Sequence, residues 1–517
     1  MNLRGRRAQA RREPRVEARA RERTAAQDRV GRLTALLAER SEREHGLRVS
    51  QRERSQEATY RRPSGRGWVR PGERGGHIAS TAHVQAVYPF VAQGGLGRAG
   101  VLVGRDVYGS GPFALDPWHL YSLGLLHDAN MLVLGLKDHG KSSLMKTWCF
   151  RQRVFGRRIE VFERKGEYRK VIEAMGGVTL TLKPGVHLNP LERVGSPEAR
   201  ESLLQAVTST MLGRELTPAE ELGLSVALEV ADQAHSEREV VIPDLVEELR
   251  DPSRALTDEL NVSEHDAGME LRECMYALRN LSRGPVRDMF DAPTDAGREV
   301  WDNEAVAIDI SQIGRYAKGR EENRALAIAL ICSTAFLDAR REERHEHARR
   351  TGGEVDKTVR INDEAWRVLA VPGSAEYYTA GLKLARDTGV QYGLGLHRLS
   401  DLSAVGDAGS RVQRLAEGLA SECAIRVVYR VAESEADVTG HAFELSSTER
   451  KLITKLPAYQ ALWRLGERSF RVAHLLAAEE WELVQTDEAM GHRAARGVGA
   501  DGGTAPETIA VGAGDRS

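Results

Sequence analysis

The sequence predicts an α/β fold: a mostly parallel sheet with helices on both faces, carrying a helical insertion and a small N-terminal β-layer. Three observations predict it. Short apolar runs of strand length alternate with longer helical stretches. One of those strand-to-helix junctions is rich in glycine. A long segment in the middle of the chain shows helical spacing alone.

Taken in order, Asn130–Leu134 (NMLVL) reads as a buried strand and Ser142–Val154 as the helix after it. Arg158–Phe162 and Val178–Leu182 are the next strands. Residues 197–282 read as all-α, with Leu203, Leu204, Val207, Met211 and Leu212 at helical spacing. Ala305–Ile310, Lys357–Ile361, Val390–Leu396 and Ala424–Val431 complete the strand series, with a long helix over Asn323–Arg341. The core is thus expected over 120–196 and 283–487, with 197–282 inserted. Ahead of it, His83–Val91 and Gly100–Val107 give a small β-rich segment, 79–119. Residues 61–78 are a Pro/Gly/Arg linker, and 1–60 a basic arm, helical or disordered, with Glu17, Arg19, Glu22 and Arg23 spaced for pairing along a helix. The Gly/Ala-rich stretch 488–517 reads as a disordered tail.

The chain has 517 residues, long enough for one large domain with appendages, and 41% hydrophobic residues, enough for a core. Its formal net charge of -1 gives no general reason to expect nucleic acid. Cys149, Cys274, Cys332 and Cys423 are far apart and form no Cys-x-x-Cys pair, so neither a disulfide nor a structural metal is expected. No apolar run reaches the ~18 residues of a membrane span. The expected location is cytoplasmic, with any attachment to the inner face of the cell membrane peripheral.

Gly135-Leu136-Lys137-Asp138-His139-Gly140-Lys141-Ser142 sits between the first core strand and its helix. Gly135 and Gly140 supply bends that let backbone N–H groups curl around a phosphate. Lys141 brings charge to the β- and γ-phosphates, and Ser142 a hydroxyl for Mg²⁺. Lys137, Asp138, His139 and Ser143 complete the nucleotide-binding segment, whose helix points its positive end at the anion. Asp138 is an awkward member, because a carboxylate beside a triphosphate weakens binding unless it faces solvent or Lys137. A second acidic centre follows a later strand, Val359-Arg360-Ile361-Asn362-Asp363-Glu364. Asp363 is placed to hold the metal and Glu364 to act as general base on the attacking water. Arg360 and Asn362 make this strand unusually polar. The ligands expected are therefore ATP and Mg²⁺.

Asp363-Glu364-Ala365-Trp366 resembles the second nucleotide motif of conjugation and type IV secretion ATPases, the VirB- and TraC-type traffic ATPases of the HerA–FtsK superfamily. Other segments agree in the same order. Glu163-Arg164-Lys165-Gly166-Glu167-Tyr168 resembles the acidic-x-x-Gly-Glu-Tyr turn after the second strand, with Glu163 where Asp is commoner. Leu188-Asn189-Pro190-Leu191 resembles the Asn-Pro signature. Val286–Asp291, Asp309-Ile310-Ser311 and Leu445–Gly466 resemble later segments. The resemblance spans about 80–487 and is nearest to compact versions from high-GC Gram-positive bacteria.

The resemblance implies a RecA-like core, an ATP-hydrolysing motor, and assembly with copies of itself into a ring, usually a hexamer. It further implies partners among membrane-embedded secretion or conjugation channel proteins, with DNA a second candidate. Arg386 matches the arginine that completes a neighbour's site. His397 stands where the family usually carries the γ-phosphate-sensing Gln. Glu163, Glu167 and Asn189 are the remaining motif residues. Two alternatives stay open: an FtsK-like DNA-translocating pump or coupling protein, and a nucleotide-binding scaffold that hydrolyses weakly.

Overall fold

The computed structural model describes residues 99–109, 111–313, 319–365, 373–399 and 421–485, with Leu96, Val371 and Gly418 besides. The expected arm 1–60, linker 61–78, strand 83–91, Trp366 and tail 488–517 lie outside them. The chain divides into Met1–Gly97 and Arg98–Ser517, and every element below belongs to the second unit.

Eleven strands form one sheet: β1 (Val101–Asp106), β2 (Pro112–Leu115), β3 (Met131–Leu134), β4 (Arg158–Glu163), β5 (Val178–Thr181), β6 (Ala305–Asp309), β7 (Thr358–Asp363), β8 (Val390–Leu396), β9 (Ile425–Val428), β10 (Gln460–Leu465) and β11 (Arg468–His474). Their order is β2-β1-β11-β10-β9-β3-β8-β7-β4-β6-β5. From β9 to β5 every pairing is parallel. The other four strands add antiparallel. The parallel strands are apolar runs because both faces are covered: all residues of β3, β6 and β8 are buried.

Strand order explains the two helical layers. The steps β3→β4 and β4→β5 travel one way along the sheet, whereas β5→β6, β6→β7 and β7→β8 travel the other. Right-handed crossovers therefore put their helices on opposite faces. The helices Lys141–Val154 and Arg169–Ala174 pack together on one side with Ala478–Val484. Arg320–Thr351, Ser374–Thr388 and Pro197–Leu212 pack together on the other. The expected helical stretch holds six helices between Pro197 and Leu281. Ser196, Thr217, Ser253 and Ser263 cap four of them through side-chain acceptors, and Thr217 with Glu220 makes a capping box.

The structure refines two expectations. Of the expected N-terminal β-layer, β1 and β2 continue the main sheet through β11. The hairpin β10–β11, turning at Gly466 with φ 57, was not anticipated from the sequence. Its arginines at 464, 468 and 471 dilute the alternating pattern. Among the described residues no helix is long and apolar enough to cross a membrane. The four cysteines are buried free thiols.

The polarity of β7 has a packing reason. Arg360 is fully buried, in register with Glu160 on β4 and Tyr392 on β8. Its guanidinium donates to Glu160 Oε2 at 2.7 Å, to Asp338 Oδ1 at 2.6 Å and to Tyr392 Oη at 3.2 Å. Asn362 donates to Tyr378 Oη at 3.3 Å. These polar side chains tie two neighbouring strands and the long helix Arg320–Thr351 to the strand that carries Asp363.

Candidate active site

The C-terminal ends of β3, β4 and β7 bring the first site residues together, as expected for ligand sites in open α/β sheets. β3 runs straight into the glycine-rich loop. Gly135 has φ 147, and a Cβ there would meet the Tyr429 side chain at 2.6 Å. Gly140 has φ 103 and precedes the helix Lys141–Val154. Both positions therefore need glycine. The loop is also held from the side, as Leu136 N–H donates to Arg430 O at 2.8 Å and Tyr459 N–H to His139 O at 2.9 Å.

Lys141 is buried inside this loop. Its ammonium donates to Gly135 O at 2.5 Å and to Leu136 O at 2.8 Å. Burial pulls it down to about 8, with Asp363 opposing the shift. Asp138 is exposed and has φ 61, a left-handed conformation that Asp tolerates. Its carboxylate is thus open to solvent, which relieves the conflict with an anion in the loop. His139 is half-buried and held below its ordinary value, first by burial and then by Arg430 and Lys141, so it is neutral at pH 7. Lys137 is exposed, and Ser143 is half-buried in the first helical turn, where its carbonyl accepts from Thr147 Oγ1 at 2.9 Å.

β7 ends at Asp363. Ser142 lies beside its carboxyl, and Tyr168 Oη donates to Oδ2 at 3.3 Å. Burial pushes Asp363 up, while Lys165 and Ser142 pull it down. Gly395 on β8 makes room for it, because a Cβ there would lie 2.7 Å from Asp363 Oδ1. Glu364 follows with φ 78, an uncommon conformation for Glu that turns the chain out of the sheet. Its Oε1 lies 2.9 Å from Lys165 Nζ and 3.8 Å from His397 Nε2. The structure therefore places Lys141, Ser142, Asp363, Glu364 and His397 around one site.

Glu163 and Glu167 belong to the turn beside it. Glu163 accepts from the amides of Glu167 at 2.6 Å and Tyr168 at 3.1 Å, fixing the turn that presents Arg164 and Lys165. Burial pushes Glu163 up to about 7 from its ordinary 4.5, aided by the neighbouring Asp309. The folded chain then keeps a proton between pH 4.5 and 7 that the unfolded chain releases. Stability from this group is full below the lower value and is lost as pH rises through the upper one. Thermal melting should show the wild type losing about 1–2 kcal/mol between pH 5 and pH 8 from this source. Glu163→Gln should flatten that loss; an unchanged slope would assign it elsewhere. Glu167 Oε2 lies 3.4 Å from the buried Lys146 Nζ, which also sits over the Tyr168 ring.

Two motif residues lie elsewhere. Asn189 is buried in the loop after β5; it donates to Val240 O at 2.8 Å and accepts from Leu191 N–H at 3.1 Å. Its bonds tie that loop to the helical stretch. Arg386 is exposed in the last turn of the helix before β8, at the end of the parallel strands opposite the glycine-rich loop. From there it is remote from its own chain's Lys141. Sequence reasoning gave no role to Arg164, Lys165 or Tyr168, although all three lie in the quoted turn motif. Nothing in the sequence signals that the Tyr168 hydroxyl meets a carboxylate 195 positions later.

Ser142 and Asp363 suit Mg²⁺, which takes oxygen ligands: a hydroxyl and a carboxyl stand side by side next to the glycine-rich loop. No protein-family model matches the chain, and no curated protein sequence matches it. Solved structures do. The plasmid coupling protein TrwB in complex with a non-hydrolysable ATP analogue is 14% identical, over 77% of this chain and 92% of that one, with a TM-score of 0.48. The structure of VirB4 from Thermoanaerobacter pseudethanolicus is 18% identical, covering 75% of this chain and 100% of that one, with a TM-score of 0.59. This chain thus has the RecA-like P-loop NTPase fold that the VirB4 structure displays.

Proposed function

We propose that this chain is an ATP-hydrolysing motor that energises conjugative DNA transfer or type IV secretion. The observation that carries the hydrolytic part is the meeting of Lys141, Ser142, Asp363 and Glu364 at the ends of β3 and β7. The wider role rests on the quoted sequence motifs and on the fold shared with VirB4.

The residues divide the work by chemistry. Loop N–H groups and the Lys141 ammonium bind the phosphates. Ser142 and Asp363 would hold Mg²⁺, which neutralises charge on phosphate oxygens when bound. Glu364 takes the proton of the attacking water. His397, beside Glu364, supplies a hydrogen-bond donor near the same water. Arg386 faces away from its own site, so its use as a catalytic arginine requires a second copy of the chain. Self-assembly into a ring, with membrane-embedded channel proteins as partners, follows from this reading.

ATP turnover of the full chain, measured with mass photometry at rising concentration, tests it. Turnover that rises as copies associate supports the motor. ATP binding without turnover would make the chain a nucleotide-binding scaffold. Stimulation by duplex DNA that falls steeply with salt would favour a DNA-translocating pump.

A further inference from the structure

Beyond the proposed hydrolysis, and resting on Glu364 as its general base, the geometry points to Lys165 as a latch on Glu364 that restrains turnover by the unassembled chain. Lys165 Nζ lies 2.9 Å from Glu364 Oε1. A carboxylate oxygen engaged by an ammonium at that distance is not free to take a proton from water. Arg164 stands on the other side, 3.7 Å from Glu364 Oε2. The same guanidinium donates to Glu322 Oε1 at 2.6 Å. Glu322 lies in the first turn of the long helix Arg320–Thr351. The base is thereby tied through two cations to the turn after β4 and to a helix on the opposite face of the sheet.

The latch is built to open. Glu364 is only 11% exposed and fixed by its backbone, whereas the Lys165 side chain is 46% exposed and can swing into solvent. Glu163 fixes the turn through two backbone amides, so the tips of Arg164 and Lys165 are the parts that move. An ion pair this exposed shifts an equilibrium by about two- to five-fold, a scale suited to gating rather than to holding the fold together. A neighbouring copy or channel protein that draws Lys165 away frees the base.

The test measures kcat and KM for ATP on the dilute full-length chain. Lys165→Met should raise kcat about two- to five-fold, with KM changed by less than about two-fold. Lys165→Arg should return kcat to the wild-type value, a rescue that a general packing role would not require. The gain should vanish in the double variant with Glu364→Gln, which shows that it runs through the base. A kcat for Lys165→Met equal to or below the wild type, while Glu364→Gln abolishes turnover, overturns the latch and leaves the ATPase reading standing. Turnover at the wild-type rate in Glu364→Gln overturns the latch and the role of Glu364 as general base. If Lys165→Met does not fold, Lys165→Gln decides: a raised kcat supports the latch, and an unchanged one overturns it.

Discussion

Lys141→Ala is expected to lower kcat/KM for ATP by about a thousand-fold or more, mainly through loss of nucleotide binding. The ammonium is the buried charge of the loop, and its two acceptors are the loop's own carbonyls, Gly135 O and Leu136 O. Alanine therefore removes the phosphate's counter-charge and also unpins the loop. Glu364→Gln should behave differently. It keeps the side-chain volume and leaves Lys141, Ser142 and Asp363 in place, so ATP still binds. Loss of the proton acceptor should lower kcat by about a hundred-fold or more with little change in KM. Binding of a fluorescent ATP analogue separates the two variants: weak for Lys141→Ala and near wild type for Glu364→Gln. Equal loss of binding in both would deny Glu364 a role confined to chemistry.

Arg360→Met should destabilise the fold by about 3–5 kcal/mol. The methionine fills much of the space, yet it leaves the Glu160 carboxylate buried without its 2.7 Å donor and takes a partner from Asp338. Removing one member of a buried ion network costs far more than removing the whole network. A variant with Arg360→Met and Glu160→Met together should therefore recover part of the loss. Chemical denaturation of the two variants and the wild type measures this. A single variant as stable as the wild type would show that the network contributes nothing to stability.

The parallel core was legible because several of its strands are short, mainly apolar runs. Met131–Leu134 and Ala305–Asp309 could hardly be anything else between helical stretches. The place of the glycine-rich loop was legible because Gly135 and Gly140 mark positive-φ bends between a strand and a helix. Asp363 and Glu364 were legible as a pair, though not their unequal surroundings. The Tyr168 hydroxyl on Asp363 and Lys165 on Glu364 come from segments far apart in sequence. Asp138 shows another boundary. Its charge is visible in the sequence, but the left-handed turn that leaves it in solvent is not. Arg360 looked like a blemish on a buried strand, because its partners come from β4, β8 and a helix, which only the register of the sheet reveals.

The way the loop is braced bears on when the protein becomes competent during its synthesis. The loop residues are made early, at 135–142, but their braces come late: the Arg430 carbonyl, the Tyr459 amide and the strand β9 beside β3. β1, among the first described strands, waits for β11, near the end of the described chain. Such distant pairings close slowly and only after both partners have emerged. A growing chain on the ribosome thus carries the phosphate-binding sequence for some 300 residues before it has the walls that shape it. Products cut short before the hairpin β10–β11 would retain the glycine-rich motif without its braces, so the loop takes its shape only after residue 474 has been made.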